Sequence, residues 1–210
     1  MQDGVQGSFE WTNSTVKPDH AGSYAAEWKF TPSGSNAYLY AVATGKVTVE
    51  VTRAAMRAAA EQDAALTYNG AAQAADVRIS AHTVDGTTPE FTYAAAESGP
   101  YAAAVPAFTN AGSYTVYFRA TDPNANHEMA SGTFPVTIAP KTVTDPIIAL
   151  SGDRTYTGTA IEPTVTVKDG DTVIPADEYT VSFRNNTNAG TATVSVKDVA
   201  GGNYIVSGDT

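Results

Sequence analysis

Polar and apolar residues alternate in short runs along most of this chain. Between Lys46 and Thr52, Val47, Val49 and Val51 fall on one side of an extended backbone, and Thr48, Glu50 and Thr52 on the other. The stretches 23–30 (Ser-Tyr-Ala-Ala-Glu-Trp-Lys-Phe), 113–120 (Ser-Tyr-Thr-Val-Tyr-Phe-Arg-Ala) and 191–198 (Thr-Ala-Thr-Val-Ser-Val-Lys-Asp) mix β-branched and aromatic residues in the manner of half-buried strands. Closing strands are expected over 46–52 and 133–138. Asp169-Gly170, set between Thr164-Val165-Thr166-Val167 and Thr172-Val173-Ile174, predicts a hairpin. One segment departs from the pattern. Residues 53–66 include Ala54, Ala55, Ala58, Ala59, Ala60, Ala64 and Ala65, which favour helix when taken alone. The corresponding place further on, 140–154, holds Pro140 and Pro146, which forbid a regular helix. Both segments read as inter-domain connectors leading into a first strand, the first with a short helical turn.

These runs recur with fixed punctuation. Thr109-Asn110-Ala111-Gly112 returns as Thr187-Asn188-Ala189-Gly190, with a variant, Asp19-His20-Ala21-Gly22, near the start. The glycines are 90 and 78 residues apart, and Tyr68-Asn69-Gly70 recurs as Tyr156-Thr157-Gly158 at a distance of 88. A period of this size means one folding unit used several times. Asn36, Asn126 and Asn203 follow the Ala-Gly glycines by 14, 14 and 13 residues, each in a turn cluster. The expected organisation is 1–53, the C-terminal part of a truncated repeat; 54–140, a complete repeat; and 141–210, a repeat lacking its last strand. Gly22, Gly70, Gly112, Gly158 and Gly190 read as structural turn residues, since glycine reaches backbone conformations that other residues avoid. Serial strands predict an all-β chain of tandem small antiparallel sandwiches of immunoglobulin-like build. The alternative is a β-grasp, whose helix could come only from the alanine-rich stretch 94–104.

Composition narrows the function. A formal net charge of −10 over 210 residues disfavours binding to nucleic acid or to anionic lipid. Cysteine is absent and no run of eighteen apolar residues occurs, so neither a disulfide framework nor a membrane-spanning helix is expected. Met1-Gln2-Asp3-Gly4 lacks the basic and apolar opening of an export signal. In a piece of a longer array, that opening carries no information on export.

Residues that could carry chemistry are few. His20, His82 and His127 have no second histidine or cysteine at ligand spacing and are expected at the surface. No Gly-x-Ser-x-Gly or phosphate-cradling glycine motif occurs. No catalytic residue, metal ligand or cofactor is therefore expected. Asp122-Pro123-Asn124-Ala125-Asn126-His127-Glu128 echoes the opening of a calcium loop but has His127 where the loop needs glycine, so a hairpin turn is expected instead. Two candidate binding features remain. Tyr38 and Tyr40 share a face with Val42 and form a candidate aromatic platform, although core filling is the commoner use of such residues. The second repeat also has ten more residues than the third between Tyr-x-Gly and Ala-Gly. They fall around Gly99, Pro100 and Tyr101, a candidate binding loop.

The segments Leu66-Thr67-Tyr68-Asn69-Gly70, Arg154-Thr155-Tyr156-Thr157-Gly158-Thr159-Ala160-Ile161-Glu162-Pro163 and 178–194 resemble the tandem repeats of bacterial surface proteins, the bacterial immunoglobulin-like, MBG- or YDG-type repeats. The resemblance covers almost the whole chain. It implies a non-catalytic spacer or stalk in a large exported adhesin-like protein, located at the bacterial cell surface or cell wall and displaying a distal domain. Its implied partners are adjacent repeats of the same chain. A second possibility is that the repeats themselves bind a host glycan or surface protein, or serve as accessory modules of a carbohydrate-active enzyme.

Overall fold

The computed structural model describes residues 4–13, 17–35 and 37–209. Asn36 and Met1 lie outside them. The chain is all-β, with small, mainly antiparallel sheets in immunoglobulin-like sandwiches. No α-helix occurs among the described residues, only two 3-10 turns, 37–39 and 176–178.

The first repeat is a three-stranded antiparallel sheet of β1 (Gly7–Trp11), β2 (Gly22–Pro32) and β3 (Ala43–Val51). Its register places Phe9 beside Phe30, Trp11 beside Trp28 and Tyr24 beside Val49. These residues share one face with Val47 because side chains alternate along each strand. The face is apolar yet open: Phe9, Trp11, Val47 and Val49 are all exposed. Trp28 lies flat against Gly45, where an added Cβ would come within 2.5 Å of the indole, so only glycine fits beneath it.

The second repeat runs through β4 (Arg57–Gln62), β5 (Leu66–Thr67), β6 (Gln73–Ala74), β7 (Val77–His82), β8 (Glu90–Ala94), β9 (Ala107–Phe108), β10 (Gly112–Thr121) and β11 (Ala130–Ala139). Strands β5, β11, β10 and β8 form one sheet in that order, with β5 parallel to β11, while β4 pairs with β7 and β6 with β9. Alternation along β10 buries Val116, Phe118 and Ala120, and along β11 Phe134, Val136 and Ile138. In strand register the latter three are the counterparts of Val47, Val49 and Val51, since Thr137 faces Ser113 as Glu50 faces Ser23.

The third repeat holds β12 (Lys141–Thr142), β13 (Ile147–Ser151), β14 (Thr164–Asp169), β15 (Thr172–Val173), β16 (Tyr179–Arg184), β17 (Thr193–Asp198), β18 (Tyr204–Ile205) and β19 (Ser207–Asp209). The hairpin expected at Asp169-Gly170 joins β14 to β15, with Gly170 at φ +58°. Val143, Val167, Ile174, Tyr179, Val196, Tyr204 and Val206 form its core, with Tyr68 and Ile148 packed against them. Strand β19 pairs with β17 where β11 pairs with β10 in the preceding repeat.

Two expectations on local structure need correction. The alanine-rich segment carries a strand, not a helical connector. In β4 Ala58, Ala60 and Gln62 turn inward while Arg57, Ala59 and Glu61 face solvent, because pairing with β7 outweighs the helix propensity of alanine. The segment 140–154 likewise contains β12 and β13. The stretch 94–104 forms no helix. Tyr93 and Ala102 exchange backbone hydrogen bonds of 2.7 and 2.9 Å across it, so the loop folds back on β8 and the β-grasp alternative loses its helix.

By backbone contacts the chain divides into two compact units. One comprises Met1–Ala59, Ser80–Thr92 and Arg119–Gly132; the other comprises Ala60–Ile79, Tyr93–Phe118 and Thr133–Thr210. Each unit encloses one junction between successive repeats.

Candidate functional site

The repeated glycines adopt repeated conformations. Gly22, Gly112 and Gly190 have φ of +153°, +150° and +144°, and Gly70 and Gly158 both have +80°. An L side chain is strained at these angles, which is why the punctuation is glycine. The two Ala-Gly turns of the first and second repeats share a brace: Tyr24 donates its hydroxyl to the His20 carbonyl and Tyr114 to the Asn110 carbonyl, each at 2.8 Å. Ala192 takes that place in the third repeat.

Two of these turns are each gripped by an asparagine from much later in the chain. In the first unit, the Asn126 side-chain Oδ1 accepts the Ala21 N–H at 2.9 Å, and its Nδ2 lies 3.3 Å from His20 Nδ1. The Asn126 backbone carbonyl accepts the N–H of Ala54, in the short segment between β3 and β4, at 2.8 Å, and Ala54 returns a carbonyl to Glu128 N–H. One asparagine therefore grips both the turn and the connector of the preceding repeat. In the second unit, Asn203 does the same: Oδ1 accepts the Ala111 N–H at 2.8 Å, and its carbonyl accepts the Lys141 N–H at 2.9 Å. Val143 N–H then bonds to the Ile205 carbonyl, extending the short parallel pair of β12 and β18.

A buried carboxylate holds each asparagine, but the two come from different places. Asp122 lies four residues before Asn126 in the same turn. Its Oδ1 accepts Asn124 N–H at 2.8 Å; its Oδ2 accepts Asn126 N–H at 2.9 Å, His127 N–H at 3.1 Å and the His127 Nδ1 proton at 2.7 Å. The imidazole donor, followed by the backbone N–H groups, holds the Asp122 carboxyl below its ordinary range against the opposing effect of desolvation. In the later joint, Glu178 closes the 3-10 turn after Pro175. Its Oε2 accepts Asn203 N–H and its Oε1 accepts Asn203 Nδ2–H, both at 2.6 Å. Gly202 sits against this carboxylate, where a Cβ would fall 2.5 Å from Oε2. Tyr204, next in sequence, meets Tyr68 of the preceding repeat edge to face, with ring centroids 5.3 Å apart. Lys141 pairs with Asp169 at 2.5 Å, and that hydrogen bond raises the lysine above its usual value.

His127 corrects the expectation that all three histidines are surface residues. It is 3% exposed, with Nδ1 on Asp122 and the buried Nε2 lacking a hydrogen-bond partner at 3.6 Å from Asp85 Oδ1. Asp85 is itself held low, first by the backbone N–H of Thr87. The turn that echoed a calcium loop directs N–H donors at Asp122, an arrangement suited to a carboxylate and not to a cation. No group of three or more metal-ligating side chains occurs among the described residues.

Tyr38 and Tyr40 are 83% and 51% exposed, beside the exposed Leu39 and Val42, so they do not fill a core. They lie at the 3-10 turn 37–39, outside the sheet. In the loop around Gly99 and Pro100, the Tyr101 hydroxyl caps the Glu97 carbonyl at 3.1 Å. Sequence reasoning missed Glu178 altogether, and missed the roles of Asp122 as a clamp on Asn126 and of the Ala21 and Ala111 amides as donors. The signal present was the repeated 13- to 14-residue interval from glycine to asparagine.

No protein-family model matches the chain, and no curated protein matches it. Among solved structures it is similar to the protocadherin gammaB7 EC3-6 cis-dimer, at 12% identity and a TM-score of 0.29, covering 90% of this chain and 58% of that one. It is also similar to the extracellular cadherin domains 1-5 of protocadherin gamma B2, at 12% identity and a TM-score of 0.26, covering 90% and 44%. The chain thus spans about half the length of these structures. The fold assignment rests on the strand pairings described above. No helix among the described residues is long and apolar enough to cross a membrane.

Proposed function

We propose that this chain is a run of non-catalytic spacer repeats from a bacterial cell-surface protein, exported and displaying a distal domain. On this reading it comprises part of one unit up to residue 53, a complete unit over 54–140 and a third over 141–210. The observation that carries the reading is the joint built twice, with Asn126 on Ala21 and Asn203 on Ala111. The most repeated chemistry in the chain serves to attach one unit to the next. Short connectors pinned by backbone hydrogen bonds restrict bending at each step, as a display stalk requires. To test this, one, two or three copies of the chain are placed between a cell surface and a reporter binding domain, with the reporter's ligand buried in a polymer brush. Capture is expected to rise with copy number, and chains without the reporter are expected to bind nothing. Binding that grows with copy number in the reporter's absence would instead make the repeats adhesive by avidity.

The exposed group Tyr38, Leu39, Tyr40 and Val42 favours a second reading, in which the repeats bind glycan through stacked aromatics. Glycan-array binding abolished by Tyr38→Ala or Tyr40→Ala would establish it; binding that survives both substitutions would remove it.

A further inference from the structure

The Ala-Gly turn of the third repeat lies in a groove of about 410 Å³ lined by Leu150, Tyr156, Ile161, Phe183, Ala189 and Val194. Its counterpart in the second repeat is occupied: there Asn203 accepts from Ala111, the residue equivalent to Ala189, and Tyr204 packs on Tyr68, the residue equivalent to Tyr156. In the third repeat Tyr156 is 60% exposed, and among the described residues none accepts from the Ala189 N–H. Gly190 keeps the turn conformation of Gly112, within a few degrees in φ, so the Ala189 N–H donor is presented in the same kind of turn.

We propose that this groove is a docking site for one further repeat of the same build. The incoming unit would set a carboxylate-held asparagine oxygen on the Ala189 N–H and an aromatic ring against the edge or face of Tyr156. Its connector would pair beside that asparagine as Lys141 pairs beside Asn203. Continuity with the two occupied joints identifies the occupant. The Ala189 N–H is a donor of the kind that an asparagine oxygen satisfies twice already. The inference rests on the serial-repeat reading and is independent of whether the array spaces or adheres.

The pairing of the buried Val196 with Gly208 defines the join, because it makes even-numbered positions of the closing strand face the core. A second copy of residues 135–210 is ligated after Thr210, which carries Val136 and Ile138 to core-facing positions, with the original 210 residues carrying the ¹⁵N label. Exchange of the Ala189 amide with solvent is expected to slow at least about tenfold relative to the unextended chain, and nitration of Tyr156 to fall. With Asn203→Ala in the added copy alone, Ala189 exchange should return to its original rate while Ala111, held by the original Asn203, stays protected. Three results would overturn the proposal: unchanged Ala189 and Tyr156 in the extended chain, slowing that persists in the asparagine variant, or an added copy that stays unfolded while the original third repeat remains folded. Failure here leaves the copy-number experiment unaffected, so the two readings fail separately.

Discussion

Asparagine suits the joints because its amide carries an acceptor and donors in one plane, and a carboxylate can hold the donor side while the oxygen faces a neighbouring amide. Asn203 uses both: Nδ2 to Glu178 and Oδ1 to Ala111. Asn203→Ala leaves Glu178 Oε1 and the Ala111 N–H without their partner, while the backbone N–H of residue 203 still reaches Oε2, at a cost of about 1–3 kcal/mol. Chemical denaturation should show that loss, with Ala111 exchange accelerated. Asn203→Asp should cost more, because it sets a second carboxylate against Glu178. Gly202→Ala places a methyl group on Glu178 Oε2 and should weaken the same joint, whereas Gly4, with nothing near its Cβ position, should tolerate alanine. The Asp122 joint should respond to pH in one direction. Its folded value is depressed, so its stabilising contribution is present above the ordinary carboxylate range and fades as pH falls through the depressed value. Asp122→Asn should flatten the acid limb of the stability curve, measured by thermal melts below about pH 4, where an ordinary aspartate protonates.

At the scale of strands, one pattern has two outcomes. Val136 and Ile138 on β11 are fully buried, while Val49 on β3, at the matching position to Val136, is 42% exposed. Ile138→Ala should therefore cost about 2–5 kcal/mol, as for other buried isoleucines. Val49→Ala should fall within about 0.5 kcal/mol, the usual range for exposed positions. Paired denaturation curves give both numbers. The apolar face of Phe9, Trp11, Val47 and Val49 should also bind a hydrophobic dye in the native protein, and Phe9→Ser with Trp11→Ser should abolish that fluorescence without loss of the third-repeat core. The alanine-rich strand β4 belongs here as well. Alternation in a run of small residues carries almost no hydrophobic contrast, so its period could not be read until β7 lay beside it.

For the whole molecule, the interval between punctuating residues conveyed where the turns recur, and the alternation of Val47, Val49 and Val51 conveyed strands. Both are local: a turn glycine at φ +80° or +150° and a period of two are written in neighbouring residues. The joints were not legible in that way. Ala21 and Asn126 are 105 residues apart, and Ala111 and Asn203 are 92 apart, so nothing local marks them as partners. The carboxylates were harder still, since Asp122 serves from within the turn and Glu178 from 25 residues away. His127 looked like any turn histidine until folding buried it on Asp122. The sequence alone determined the β character of the chain and the positions of its recurring turns, because backbone conformation and strand period depend on adjacent residues. Only the tertiary structure decided which faces are covered, which alanine run is a strand and which asparagine clasps which turn, because burial and hydrogen-bond partnership depend on segments that meet only after the chain has folded.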